Sequence, residues 1–313
     1  MQEAGHYYTA YFVSLAAGFD PGTALRNAVF AQMPDEVNAL DAKFQGIHYW
    51  PAQGSIRLLA RWAQFERDLI QRGLHSLTGG SSATERSLTQ SALCLTNPGT
   101  MEFGFLLHRF GDTYAHSVIG DEKRMYETGF GHMLPTIMGS DPDLVHQRPG
   151  LYGEYVKQLY LALTHLAGAT RAMTAAHAMP ADLVADFAKE IAGTKVVHVI
   201  QRRGGKAWDY ETVEQRVVDD GASEKTQIRR IRDLCREYMH VEMDPYEPEA
   251  DGNTMTWDRY KQRYGQFMRQ PNGKTEIKWA DVAAAVYAVA RLVGQQPRRD
   301  PDYSDLDFPL RPQ

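Results

Sequence analysis

Three polar residues recur at every fourth position in residues 108–116, which read His108-Arg-Phe-Gly-Asp112-Thr-Tyr-Ala-His116. Because an α-helix has 3.6 residues per turn, side chains four positions apart lie on one face, and these three would project together. Two imidazoles and a carboxylate are typical ligands of zinc or another borderline transition metal. The spacing therefore predicts a helix that carries a metal site.

The residues around this motif predict that the helix is buried. Its apolar side chains are Met101, Phe103, Phe105, Leu106, Leu107, Phe110, Tyr114 and Val118. A helix this apolar is mostly buried, and each unsatisfied polar group inside a protein costs roughly 1–3 kcal/mol, more if it is charged. Metal coordination would remove that cost. Ordinary hydrogen-bonded core histidines are the alternative.

Helical spacing of apolar residues extends through most of the chain and predicts the all-α fold class. The predicted helices are residues 4–17, 21–33, 55–71, 84–95, 100–117, 151–166, 181–191, 223–243, 256–268 and 279–292. Only the short apolar run 195–200 suggests a strand. We predict a metal-binding helical core in residues 1–170, a helical C-terminal part packed on it in 171–294, and an extended tail in 295–313.

Composition excludes some classes of function. The 313 residues are 43% hydrophobic and 23% charged, as in a globular protein, and the net charge of −5 gives no overall attraction for nucleic acid. No apolar run approaches the roughly 18–20 residues of a membrane span, so we predict no stable membrane insertion. The N-terminus does not resemble a signal peptide. Location stays unknown: the protein is cytoplasmic, or exported without a cleaved signal.

One zinc ion needs about four ligands, so the three on this helix require others. The candidates are His6, Asp35 and His48 upstream, and His132, Asp141 and Asp143 downstream. This number of ligands fits two metal ions better than one, with Asp112 as the candidate bridge. The other histidines lack neighbours in ligand spacing and are predicted to be surface or hydrogen-bonded residues: His75, His146, His165, His177, His198 and His240.

The order of these residues resembles a known family. In sequence, His6, Asp35, His48, His108, Asp112, His116 and His132 resemble the metal ligands of bacterial zinc-dependent phospholipase C, whose all-α fold is shared by the zinc-dependent single-strand nucleases. The segments Gly5-His-Tyr-Tyr8, Ala31-Gln-Met-Pro-Asp35 and Gly111-Asp-Thr-Tyr-Ala-His116 are similar to a related branch of uncharacterised bacterial proteins. The resemblance covers residues 5–165 and implies a multi-helix bundle of the phospholipase C type with additional C-terminal helices.

The resemblance also implies three metal positions and two or three zinc ions. Asp35, His48, His108 and Asp112 would hold the first ion, His116 and His132 with a carboxylate the second, and His6 with Asp112 the third. In the family, the backbone of an N-terminal tryptophan completes the third position, whereas this sequence has Met1 and no tryptophan there. The family also has a carboxylate where this chain has Thr136, and Asp143 or Asp141 is the candidate to replace it.

The predicted function is hydrolysis of phosphodiester bonds. Bound ions lower the pKa of water and neutralise charge that develops on a phosphoryl group. Asp35 or Asp112 could orient or deprotonate the nucleophile as well as bind metal. The sequence leaves the substrate open between phospholipid and nucleic acid. The aromatic residues next to the predicted ligands either line a substrate pocket or belong to the core: Tyr7, Tyr8, Tyr49, Trp50 and Tyr114.

A non-catalytic protein is the alternative function. In that case the metal site is structural or degenerate, and the chain is a helical scaffold that binds a protein partner the sequence does not identify. A structural zinc site needs only four ligands and leaves no open coordination position. The larger, ordered ligand set therefore favours the enzyme.

Overall fold

The computed structural model describes residues 1–42, 68–128, 141–169, 181–192, 198–202, 210–215, 224–247, 254–268 and 276–295. Two predicted ligands, His48 and His132, lie outside the described residues, as do most of the predicted helix 55–71 and the tail after residue 295. Helices account for most of the described chain, which confirms the prediction of a predominantly helical protein.

Nine α-helices lie in the described part of the chain. They are α1 (Thr9–Ala16), α2 (Pro21–Glu36), α3 (Ser82–Leu93), α4 (Met101–Ala115), α5 (Pro149–Ala169), α6 (Ala181–Ala192), α7 (Glu224–Met239), α8 (Trp257–Tyr264) and α9 (Trp279–Leu292). The segments Ala4–Tyr8 and Asp68–Leu74 are π-helical, and Val145–Gln147 is a 3₁₀ turn. These bounds lie within a few residues of most predicted helices.

Side-chain caps explain where several helices begin. The Asp20 carboxylate accepts a hydrogen bond from the backbone N–H of Thr23 at the start of α2, and Pro21 takes the first helical position. Thr100 accepts a bond from Phe103 N–H in the same way at the start of α4. These short polar residues satisfy N–H groups that the first turn of a helix leaves free.

The described strands form two antiparallel pairs. Strand β1 (Ser117–Val118) pairs with β2 (Asp121–Met125), and Ser117 lies opposite Met125. Strand β3 (His198–Arg202) overlaps the predicted run 195–200 and pairs with β4 (Tyr210–Gln215). The predicted helix 100–117 is too long, because α4 ends at Ala115 and the chain then enters β1. Four of the five residues in β2 are exposed, so the sequence shows little apolar alternation there.

Helix α4 lies at the centre of the described fold. It packs against α2, α3, α5 and α9, and every residue of α4 except Glu102 is buried. Gly104 lets α2 approach α4 closely, since a Cβ atom at this position would lie 2.1 Å from the Cβ of Phe30. The backbone of α2 is thereby held against the helix that carries the predicted ligands.

Aromatic side chains connect the C-terminal part of the described chain to its N-terminal helical segments. The Tyr7 hydroxyl donates to Asp244 O, and the Tyr260 hydroxyl donates to Val29 O. The ring of Phe187 stacks on Phe12, with centroids 3.9 Å apart. One hydrophobic core therefore contains residues from both sides of the predicted boundary at residue 170. That boundary stays a prediction.

The aromatic residues considered for a substrate pocket divide into two groups. Tyr7, Tyr8 and Tyr114 are each about 2% exposed and belong to the core, so they do not line an open pocket. Tyr49 and Trp50 lie outside the described residues. Among the helices that the structure describes, none has the length and apolar character needed to cross a bilayer.

Candidate metal centre

The motif on α4 places its three polar side chains together in the interior. His108 and Asp112 are fully buried, and His116, which caps the C-terminus of the helix, is 3% exposed. The His116 N–H donates to Asp112 O at 2.8 Å, so the helical spacing is kept to the last residue of the motif. This part of the site follows directly from the 3.6-residue period.

Three other segments bring further predicted ligands to the same place. His6 comes from the π-helical turn Ala4–Tyr8, Asp35 from the last turn of α2, and Asp143 from the segment just before Val145–Gln147. His6 is fully buried, Asp143 is 8% exposed, and the Asp35 side chain is 29% exposed. Asp141, the other carboxylate considered after residue 132, accepts a hydrogen bond from Asp143 N–H instead.

His75 also lies in this cluster, where its spacing had predicted only a surface or hydrogen-bonded histidine. It follows the π-helical segment Asp68–Leu74 and is 1% exposed. Its Nδ1 atom lies 3.1 Å from Asp112 Oδ2 and 3.0 Å from His108 Nε2. No helical repeat connects His75 to α4, because tertiary packing alone brings it there. In the sequence, His75 lies in a partly apolar run that ends with Leu77. This context indicates a buried imidazole.

Asp112 is in contact with four imidazoles. Its Oδ2 atom lies 3.1 Å from both His75 Nδ1 and His108 Nε2, and its Oδ1 atom lies 3.1 Å from His6 Nε2. His116 Nδ1 is 3.5 Å from Oδ2. On its other side, His116 directs Nε2 to Asp143 Oδ1 at 3.2 Å. Both oxygens of Asp112 are therefore available to bridge neighbouring positions.

Three sets of potential ligand atoms emerge from these contacts, each with all of its atoms within 4.8 Å of one another. They are His6, His108 and Asp112; Asp35, His75 and His108; and Asp112, His116 and Asp143. The structure thus brings together six of the eight predicted ligands, and His75 with them. These buried groups could hold metal ions.

Backbone carbonyls orient three of the imidazoles. His108 Nδ1 donates to Ala31 O at 2.8 Å, and His75 Nε2 donates to Leu40 O at 2.9 Å. His116 Nδ1 donates to His75 O at 2.7 Å. A neutral imidazole has one N–H, so the second ring nitrogen of each carries a lone pair, which in His75 and His108 faces the cluster. Such outer hydrogen bonds are typical of histidines that bind metal.

The facing lone pairs leave a place for positive charge. His108 Nε2 and His75 Nδ1 are only 3.0 Å apart, and each already donates its N–H to a carbonyl on its other side. Two lone pairs at this distance repel each other unless a proton or a metal ion lies between them. The donor set of imidazole nitrogens and carboxylate oxygens is one that zinc accepts.

Two carboxylates of the cluster, Asp112 and Asp35, have lowered pKa values. Burial would raise the pKa of Asp112, but the charges of His116, Met1 N and the other imidazoles hold it well below its usual value. The pKa of Asp35 is lowered against the same effect of burial, chiefly by His108 and His6. The Met1 nitrogen also lies here, 2.8 Å from Asp112 Oδ1. This buried ammonium offsets part of the negative charge of Asp112 and Asp143.

The imidazoles differ in how readily they take up a proton. Burial opposes charging of His75, but its hydrogen bond with Asp112 raises its pKa to about 9. Burial and then the charge of His108 lower the pKa of His6 to about 3. Protons on His75 and metal ions compete for the same lone pair, so metal binding would release protons.

Comparison with family models, curated proteins and solved structures finds no match for this chain.

Proposed function

We propose that this protein is a metal-dependent hydrolase of phosphodiester bonds that uses two or three zinc ions, in a helical bundle of the phospholipase C type. The observation that supports this proposal is the pair of ring nitrogens of His75 and His108 that face each other 3.0 Å apart beside the Asp112 carboxylate, which need a proton or a metal ion between them. A cation resolves this arrangement, and the surrounding imidazoles and carboxylates are the ligands that zinc uses.

The ligand assignment follows the three sets of atoms. Asp35, His75 and His108 would hold one ion, with Asp112 close to both imidazoles. Asp112, His116 and Asp143 would hold a second ion, and His6, His108 and Asp112 a third. In this proposal, His75 takes the ligand position that the resemblance to the phospholipase C family implies for His48. Asp112 belongs to two of the three sets, and its Oδ2 atom lies 3.1 Å from both imidazoles of the remaining one.

The chain's own residues have different roles in the proposed reaction. Zinc, when bound, supplies Lewis acidity that makes hydroxide available near neutral pH and neutralises a phosphoryl group. Asp35 is the described cluster residue that solvent reaches best, with 29% of its side chain exposed. It is therefore placed to accept a proton from, or to orient, an attacking water. Asp112 is fully enclosed, so its role is to bridge and to position the imidazoles.

Two classes of substrate contain the bond that this centre would hydrolyse. Phospholipids and single-stranded nucleic acids both present a phosphodiester, and the net charge of −5 favours neither. Attraction of a polyanion would depend on the local positive charge of the ions. We therefore propose the reaction class, and the experiment below separates the two substrates.

The first test combines metal analysis with an assay. Protein purified without a metal-affinity tag is examined by plasma mass spectrometry, and the same sample is assayed with bis(4-nitrophenyl) phosphate. We expect two or three zinc ions per chain, with turnover that a chelator abolishes and added zinc restores. Phosphatidylcholine vesicles and single-stranded DNA then distinguish lipid from nucleic acid. Absence of bound metal and of turnover after zinc is restored would refute the proposal.

A second candidate function is a non-catalytic scaffold stabilised by metal. The burial of all four imidazoles, none more than about 4% exposed, favours it, because structural zinc sites are closed to solvent. In that case zinc would raise the thermal midpoint, no phosphodiester would be hydrolysed, and Asp35→Asn would change neither metal content nor stability appreciably.

A further inference from the structure

We propose that the buried Arg109 is a positioning residue for the metal centre, although it is not a ligand. It holds the short segment that follows Asp68–Leu74, so that His75 directs both its side chain and its carbonyl toward the cluster. This inference rests on the proposed function, since it assigns the residue that supports the metal geometry. Arg109 follows His108 on α4. The same helix therefore supplies one proposed ligand, His108, and the residue that positions a second, His75.

Arg109 is fully buried and binds acceptors from two segments. Its Nη1 atom donates to Ser76 Oγ at 3.0 Å and to Thr89 Oγ1 at 2.9 Å. Its Nη2 atom donates to Glu85 Oε2 at 2.6 Å and to Arg72 O at 3.3 Å. Glu85 and Thr89 lie on α3, whereas Arg72 and Ser76 lie on either side of His75. The guanidinium therefore ties the His75 segment to α3.

The position of this segment affects two ligands at once. His75 Nδ1 contacts Asp112 and His108, and His75 O accepts the hydrogen bond that orients the His116 ring. A small backbone shift at residue 75 would therefore displace one imidazole and release another. Hydrogen bonds that orient ligands in this way commonly change metal affinity by roughly 10- to 100-fold.

The backbone at Ser76 supports this assignment. Its φ angle is 55°, in the left-handed region where glycine is the usual residue and other residues cost of order 1–3 kcal/mol. Glycine would fit this conformation at lower cost but would lack the hydroxyl that Arg109 binds. The serine therefore keeps a strained conformation together with a contact to Arg109, as expected if the contact fixes the segment.

The test compares two acceptors of the same Nη1 atom. Ser76→Ala removes the hydroxyl next to His75, and the matched control Thr89→Val removes the hydroxyl on α3. Each variant is titrated with cobalt(II), whose absorption spectrum reports ligand geometry, and is melted without metal. We expect Ser76→Ala to weaken cobalt affinity at least about 10-fold and to alter the spectrum. Thr89→Val should lower the thermal midpoint and keep both affinity and spectrum.

A metal-free readout separates this inference from the proposed function. In the wild type, ¹H–¹⁵N spectra should show a slowly exchanging His116 Nδ1–H, and Ser76→Ala should lose it while Thr89→Val keeps it. If the wild type binds no cobalt, the proposed function fails, and this signal still tests whether Arg109 positions the histidines.

Ser76→Gly protects the test against misfolding, because it removes the hydroxyl and also relieves the left-handed strain. It should fold with a midpoint close to that of the wild type and still lose cobalt affinity. The inference is overturned if both Ser76 variants keep the wild-type affinity, cobalt spectrum and His116 signal. It is equally overturned if Thr89→Val loses them to the same extent.

Discussion

Helix α4 carries two buried polar clusters that differ in how their charges are balanced. One is the Arg109 network, in which the guanidinium and the Glu85 carboxylate form an ion pair at 2.6 Å and three further oxygens accept hydrogen bonds from Nη1 and Nη2. The other surrounds Asp112, where carboxylates and imidazole lone pairs converge. In the first cluster, one guanidinium balances one carboxylate. In the second, the Met1 ammonium pairs with Asp112 and Asp143, but the ring nitrogens of His75 and His108 still face each other at 3.0 Å and need a proton or a metal ion between them.

The comparison shows which property of a buried polar cluster indicates a site. Burial and hydrogen bonding are common to both clusters, so neither distinguishes them. The balance of donors and acceptors does, because a balanced network can be stable as it is, whereas an unbalanced one requires a ligand or an uptake of protons. We therefore expect substitution in the Asp112 cluster to change metal content, and substitution in the Arg109 network to change the stability of the metal-free protein.

The largest expected effect is that of Asp112→Asn. The change removes the charge that two of the three ligand sets share, and it leaves the shape of the side chain nearly unchanged. We expect ion content to fall to below one per chain and phosphodiester turnover to fall on the order of a thousand-fold, about 4 kcal/mol in barrier height. Plasma mass spectrometry and the bis(4-nitrophenyl) phosphate assay measure both. Asp121→Asn, on exposed β2, is the matched control; full metal content in Asp112→Asn would contradict the prediction.

The second prediction concerns the balanced cluster and is made for metal-free protein. Arg109→Met leaves the buried Glu85 without its cation, and removing one partner of such a pair typically costs about 3–5 kcal/mol. Urea unfolding with a chelator present should show this loss. The double variant Arg109→Met with Glu85→Met should recover much of it, because no buried charge is then unpaired. A double variant as unstable as the single one would show that the ion pair is not the source of the effect.

The sequence predicted the parts of this molecule that depend on local spacing. The helical period placed His108, Asp112 and His116 on one face, and apolar spacing predicted the bounds of most described helices within a few residues. In each case, residues close together in the chain determine the outcome. The fold type and the metal identity depend on more than local spacing and stay proposals.

The sequence could not show the features that tertiary packing creates. His75 reaches the cluster from a separate segment, and Arg109 binds residues on both sides of it. For neither residue does the spacing of nearby residues in the sequence identify its partners. The sequence predicted a surface or hydrogen-bonded histidine at position 75; the hydrogen bonds are present, but spacing could not identify Asp112 and His108 as its neighbours. Gly104 is a similar case, since only the contact with Phe30 shows why a side chain would not fit there.

The third prediction tests whether close helix packing maintains the metal centre. Gly104→Ala would place a Cβ atom 2.1 Å from Phe30 Cβ and push α2 away from α4. We expect a loss of about 1–3 kcal/mol in the free energy of unfolding, as for other overpacked sites. Metal affinity should also fall, because α2 supplies Asp35 and the Ala31 carbonyl that orients His108. Gly150→Ala is the control, since a Cβ there meets no atom within 4 Å. If Gly104→Ala is less stable but keeps the wild-type metal affinity, close packing of α2 against α4 does not maintain the metal centre.

The smallest expected effect concerns Glu3, a partly buried carboxylate that lies near a second acidic residue. Burial, and then the nearby charge of Glu224, raises the pKa of Glu3 from 4.5 to about 7. The folded state thus holds a proton that the unfolded chain releases, so the stabilising contribution is present below pH 4.5 and is lost as the pH rises to about 7. Glu3→Gln should remove this loss and stabilise the protein at pH 8 by about 1–2 kcal/mol, allowing for partial exposure. Urea unfolding at pH 5 and pH 8 measures it, with the exposed Glu237→Gln as control. Equal pH dependence in Glu3→Gln and the wild type would show that Glu3 stays ionised, as Asp112 does beside its imidazoles.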